Sequence, residues 1–471
     1  MAFENKFNVG YNGAMPFQSS ILTPDPTLRT SIVAVLEAAL NAVDPYQAVR
    51  AVLRRAGNQL QVGEHAYALE RFRHIYVIGA GKAGAPMTQA VEAVLGERIT
   101  DGLVVVKTGH HAPTTHVQIV EASHPVPDAA GVAAGKQILA LAEQAGPDDL
   151  VIALLSGGGS ALLVAPALAT QEVAGLTLAD KQAMTSALLA CGATIQEINC
   201  LRKHCSAVKG GQLARAVAPA TLITLVLSDV VGSPLDVIAS GPTVPDNSTW
   251  ADAWAIVEKY NLAEKLPKAI VARLQAGLAG EIPDTPKADD PLFAHAQTVV
   301  VADNQVAAEA ACRKASELGF HPLLLTTYLE GEASEVAKVV AALAKQVQAT
   351  GQPLAAPACL VLGGETTVTL GADPGRGGRN QQLALSAALA LQGLSGVTIV
   401  SLATDGSDGP TDSAGGIADG GTVQRGQAQG LKAIDYLRRH NAYLFLQATN
   451  DLLVTGPTQT NVNDLVFVFV V

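Results

Sequence analysis

The stretch His74-Ile75-Tyr76-Val77-Ile78-Gly79-Ala80-Gly81-Lys82-Ala83-Gly84, continued by APMTQAVEAVL to residue 95, decides the fold class. Its first half is an apolar run without alternation, which suits a strand buried on both faces. Glycines end the run in a tight turn, and the apolar residues beyond them recur at helical spacing. The same order of strand, glycine turn and helix returns along the chain. DGLVVVKTG (101–109) leads into a loop rich in His and Pro, and the helical GVAAGKQILALAEQAG (131–146) precedes LVIALLSGGGS (150–160). ATLITLVLSDVVG (220–232) runs into a loop ending at SGPTVPD (240–246). Apolar strands alternating with helices define an α/β unit, a Rossmann-like, doubly wound and mostly parallel sheet.

Working outward, residues 28–55 show helical spacing and predict two helices, with Pro45 opening the second. The segment PDTPKADDP (283–291) reads as a linker. A second α/β series follows it, with strand-like runs in AQTVVVADN, HPLLLTTYL, ACLVLGGETTVTL, VTIVSLA and the terminal DLVFVFVV. The expected organisation is therefore a loose arm over 1–23, a Rossmann-like domain over 24–285 and a second α/β domain over 286–471. The last strand is expected to turn back toward the first domain. No internal repeat of fixed period occurs.

Composition narrows the function classes. A chain of 471 residues is too long for one core. It is 49% hydrophobic and 15% charged, a globular balance. The net charge of −11, with no basic stripe interleaved with aromatics, speaks against a nucleic-acid partner. Five cysteines without a C-x-x-C pair argue for buried thiols in a reducing compartment. No apolar run reaches about 18 residues, so no membrane span is expected. With no signal-peptide pattern at the N-terminus, a cytoplasmic location is expected.

Six glycine- or acid-rich loops carry the chemistry. Gly79, Gly81 and Gly84 satisfy G-x-G-x-x-G, a turn that lets backbone amides approach phosphate oxygens, and Lys82 adds a cation in its middle. Asp101 lies where a ribose-binding acid would follow such a turn. Ser156, Gly157, Gly158, Gly159 and Ser160 form a second turn suited to holding phosphate or carboxylate by amides. Ser228 and Asp229 follow a strand, where a carboxylate is placed to orient or deprotonate a hydroxyl. Glu365 lies in GGETT, and Arg376, Arg379 and Asn380 lie in GRGGRNQ, where arginine forks match phosphate or carboxylate. Asp405 and Asp408, in TDGSDGPTD, together with Glu365, are hard ligands suited to Mg²⁺ beside phosphates. NVND (461–464) precedes the last strand and is a candidate for closing the site. The chain lacks a G-x-x-x-x-G-K-[ST] loop, and His110, His111 and His116 have no acidic or Cys partners at zinc spacing.

Taken together, VIGAGKAG, LSGGGSALL, NCLRKHCSAVKGGQLA, LSDVVGSPLDVIASGPT, LGGETTVTL, GRGGRNQQLAL, ATDGSDGPTDSAGG and TNVNDL resemble the glycerate 2-kinase family with a C-terminal MOFRL domain. The motifs stand in the family's order from about residue 28 to the end. The resemblance implies ATP as co-substrate, Mg²⁺, and transfer of a phosphoryl group to the 2-hydroxyl of D-glycerate in a cleft between two domains. It also implies that the family's important lysine and arginine are Lys82 and Arg379, acting on the phosphoryl from opposite sides. The expected partners are D-glycerate and ATP, with a monomer or homodimer as the assembly. Some family members are labelled hydroxypyruvate reductase, so an NAD(P)H-dependent reductase is the alternative, and a non-catalytic sugar-acid or nucleotide sensor is a third. Ligand-induced thermal shifts without turnover would mark the sensor.

Overall fold

The computed structural model describes residues 26–171, 173–371 and 373–471. The arm expected over 1–23 lies outside the described residues. The described chain divides into two compact units. One comprises Ala42–Ala307 with Gln459–Asn463, and the other comprises the segment ending at Asn41, Ala308–Thr458 and Asp464–Val471.

Strands in chain order are β1 (Leu53–Ala56), β2 (Gln59–Val62), β3 (His65–Ala68), β4 (Ile75–Ala80), β5 (Asp101–Lys107), β6 (Gln118–Ala122), β7 (Leu150–Leu155), β8 (Thr221–Leu227) and β9 (Ala296–Ala302). Next come β10 (His321–Leu329), β11 (Ala358–Gly364), β12 (Val397–Ala403), β13 (Gly415–Asp419), β14 (Leu452–Leu453) and β15 (Asp464–Val470).

In the first unit six strands form a sheet in the order β6-β5-β4-β7-β8-β9. Every pairing in it is parallel. The order reverses between β4 and β7, so their C-terminal ends flank the switch point where doubly wound sheets bind ligands. β4 and β7 are buried along their whole length, which explains why their sequences do not alternate. β9 follows the proline-rich segment 283–291 and pairs with β8. The compact unit therefore extends past residue 286, where the sequence suggested a boundary. Residues 459–463 also belong to this unit: Thr460 Oγ1 donates to the Val43 carbonyl at 2.7 Å, and Asn304 Nδ2 donates to the Val462 carbonyl at 2.8 Å.

The helical spacing over 28–55 holds only in part. Helices cover Pro26–Ala42 and Pro45–Val52, with Asp44 capping the second. Leu53–Ala56 instead enters a small antiparallel sheet with β2 and β3. Gly57, at φ +59°, makes the hairpin turn. A four-residue strand is too short to show a period against a preceding helix.

The second unit holds a mixed sheet in the order β10-β11-β15-β12-β13-β14. β10 and β11 are parallel, and β15 runs antiparallel between β11 and β12. The last strand thus completes the centre of the second sheet and does not turn back to the first. Its seven residues are all buried. Phe467 and Phe469 are stacked on it, with ring centroids 6.3 Å apart.

Candidate active site

The two glycine turns at the ends of β4 and β7 are stitched to each other. Lys82 N–H donates to the Gly157 carbonyl at 2.8 Å, Ala83 N–H to Ser156 Oγ at 3.1 Å, and Ser156 N–H to the Ala80 carbonyl at 3.1 Å. Gly81, at φ +145°, is in a conformation that L side chains rarely adopt, and a β-carbon there would collide with Ser156. A β-carbon at Gly79 would strike Leu154, and one at Gly84 would strike Val104. These three glycines are therefore required for strand and helix packing.

The amides of the first turn are engaged inside the protein. Gly81 N–H donates to Val105, Lys82 to Gly157, Ala83 to Ser156 and Gly84 to Gly81. The expected cradle of Gly79, Gly81 and Gly84 amides for phosphate is thus not available from 81 and 84. Asp101 is the first residue of β5, at the strand end opposite the turns, where its carboxylate accepts the Gly102 amide at 2.7 Å. It is not placed as the ribose acid of a dinucleotide site, which sits at a strand's C-terminal end.

The second turn differs. Gly157 and Gly158 N–H groups donate to no acceptor among the described residues. Gly158, at φ +80°, lies between two side chains: a β-carbon there would sit 3.0 Å from His124 Cδ2 and 3.5 Å from Lys82 Cγ. A β-carbon at Gly157 would run into the Asp229 carboxylate. Lys82, Ser156–Ser160 and Asp229 are thereby brought together. Ser228 is buried, and its hydroxyl closes a short turn with Val230, accepting the Val230 amide at 3.3 Å.

Sequence reasoning missed the groups behind this turn. A cavity of about 510 Å³ is walled by Gly157–Ser160, His124, Asn199, Asp229 and three cations, Lys181, Arg202 and Lys209. Lys209 is 2% exposed. Its ammonium donates to the Ser160 carbonyl at 2.7 Å and to Ser160 Oγ at 3.1 Å. Ser160 Oγ lies 2.9 Å from Ser240 Oγ, and Ala239 and Ser240 hold positive φ of 51° and 62°. Strain of this kind persists where surrounding bonds over-determine the backbone. Burial, with Lys181 and Arg202 nearby, holds the Lys209 pKa well below the lysine range. Burial lowers Lys181 to about 8, and burial with Lys82, Lys107 and His110 nearby lowers His124 to about 4. The only sequence signal for Arg202 and Lys209 was the motif NCLRKHCSAVKGG, whose spacing does not reveal which face its cations occupy.

In the second unit Arg379 opens the helix Arg379–Leu391. Its Nε donates to Asp464 Oδ2 at 2.5 Å, its Nη2 to Asp464 Oδ1 at 3.2 Å, and its Nη1 to Glu365 at 2.6 Å. Burial opposes its charge, but Asp464, then Glu365 and Asp408, raise its pKa above the ordinary arginine value. Asp464 is the last residue of NVND, so that motif serves the arginine. Asn380 is 1% exposed and bonded to Ser401 at 2.6 Å and Asp408 at 3.3 Å. Arg376 is exposed, with its guanidinium 3.9 Å from the centre of the Tyr443 ring.

The three carboxylates considered for Mg²⁺ have other partners. Asp408 accepts the Asn380 and Gln381 amides at 3.1 and 2.8 Å, capping the helix. Glu365 binds Arg379, and Asp405 accepts the Ser407 amide at 2.9 Å. Among the described residues no three His, Cys, Asp or Glu side chains converge as a metal-binding group. These residues do not fit a protein-built magnesium cage.

A parallel doubly wound sheet, with an amide nest and a lysine at its switch point, belongs to the α/β enzymes that handle anionic groups. Residues 31–275 match the family model described as a domain of unknown function, DUF4147, and residues 358–464 match the MOFRL family. The chain is 40% identical to the glycerate 2-kinase of Pyrococcus horikoshii, over 92% of this chain and 95% of that protein. It is 46% identical to a putative hydroxypyruvate reductase of Agrobacterium vitis, over 83% of this chain and 85% of that one. A crystal structure of glycerate kinase from Thermotoga maritima superposes with a TM-score of 0.84 at 39% identity, covering 95% of this chain and 100% of that chain. The chain belongs to the glycerate 2-kinase family.

Proposed function

We propose that this chain is an ATP-dependent kinase that phosphorylates the 2-hydroxyl of D-glycerate to give 2-phosphoglycerate. The observation that carries it is the switch-point turn. There, two unengaged amides, the Lys82 stem and the Asp229 carboxylate adjoin one another at the ends of β4, β7 and β8. Phosphoryl transfer needs positioning and charge neutralisation more than covalent help. In this mechanism Lys82 neutralises charge on the moving phosphoryl, the Gly157 and Gly158 amides hold anionic oxygens, and Asp229 orients the attacking hydroxyl. Arg379, in the other unit, is the second proposed phosphoryl contact. Three of its five N–H donors are engaged by Asp464 and Glu365, which leaves two for a ligand. Magnesium is proposed to accompany the nucleotide phosphates, where that ion usually keeps several waters. No helix among the described residues is long and apolar enough to cross a membrane. A cytoplasmic setting and a monomeric or homodimeric assembly complete the proposal.

The reductase alternative loses its support once Asp101 sits at the wrong strand end and the first turn's amides are engaged. ADP formation from ATP and D-glycerate, measured beside NADH oxidation with hydroxypyruvate, tests the choice. Saturable ADP formation is the expected result. NADH consumption without it would overturn the kinase assignment.

A further inference from the structure

Lys181, Arg202 and Lys209 line one wall of the cavity, and no carboxylate contributes to holding the charge on any of them. This is unusual, since buried charges are normally paired. Two other cations of the same unit do have acids: Lys203 pairs with Asp246 at 3.0 Å, and His204 with Asp284 at 3.0 Å. The ammonium of Lys181 is turned to the Cys205 carbonyl at 3.1 Å, and that of Lys209 to Ser160. The Arg202 guanidinium is the member of the trio with no hydrogen bond to protein among the described residues.

We infer that this cavity binds the carboxylate of the acceptor acid, with Arg202 as the contacting fork and Lys181 and Lys209 lining the wall around it. The inference rests on the glycerate reading and adds specificity residues to it. Asp229 lines the same cavity. A small hydroxy acid carries a group for each, its hydroxyl donating to Asp229 and its carboxylate accepting from Arg202. Lys82 does not line the cavity, so the cation proposed for the phosphoryl group and those for the acceptor are distinct residues.

The test uses the full chain, Arg202→Gln and the milder Arg202→Lys, which keeps the charge and loses the fork. Losing a charge-assisted bond predicts that R202Q raises KM for D-glycerate about 10- to 100-fold, with KM for ATP unchanged and R202K intermediate. The wild-type preference for D-glycerate over its neutral amide, glyceramide, should shrink by a similar factor. A rise confined to KM for ATP, or an unchanged preference, overturns the inference. Calorimetric titration of D-glycerate without nucleotide separates the two readings. Tight binding by wild type, weakened at least tenfold in R202Q, supports this site even if no ADP forms. Equal affinities in both proteins overturn it even if the chain is a kinase.

Discussion

The cations of the two units are held in opposite ways. Around Arg379, two carboxylates supply the counter-charge and fix the guanidinium in place. Around Lys181, Arg202 and Lys209 the protein offers carbonyls, hydroxyls and a cavity, and no acid is bonded to any of the three. A cation braced by acids is a geometrical fixture whose removal strands buried negative charge. A group of cations braced only by neutral dipoles leaves its electrostatic demand to a ligand.

The largest effect is expected where the bracing is strongest. Arg379→Ala leaves the buried Asp464 without its cation and should cost about 3–5 kcal/mol in denaturant unfolding. Adding Asp464→Asn removes the stranded charge and should recover at least half of that loss. If the double variant also regains turnover, Arg379 is a structural brace and not a phosphoryl contact. Lys82→Ala comes next. Its backbone bond to Gly157 survives the change, so kcat should fall about 100- to 1000-fold at an unchanged unfolding midpoint. Near-wild-type turnover would remove Lys82 from the mechanism.

The smallest effect calibrates the comparison inside the first unit, where His204 and Asp284 form a paired site. Burial opposes the charge on His204, but bonds to Asp284 and the Cys200 carbonyl outweigh it and raise its pKa from 6.5 to about 9. The pair therefore stabilises the fold fully below pH 6.5, and that contribution is lost as pH rises through 9. Asp284→Asn should cost about 2 kcal/mol at pH 6 and much less at pH 10 in urea titrations. A pH-independent loss would show that the histidine is not charged in the folded state.

The sequence by itself determined the first sheet, because a parallel sheet buried on both faces writes itself as unbroken apolar runs ended by glycine turns. It also located the loops of the site, since strand ends carry them and only glycine tolerates the close approaches at 79, 81 and 84. It did not determine which amides stay unengaged, and G-x-G-x-x-G looked like the cradle while Ser156–Ser160 holds the open donors. Nor did it show that Asp464 would meet Arg379, 85 residues away along the chain, or that Lys181, Arg202 and Lys209 would line one cavity. Those outcomes depend on which side chains face one another across strands and helices. Local spacing carries strand and helix periods, whereas the pairing of charges is fixed only when distant segments pack.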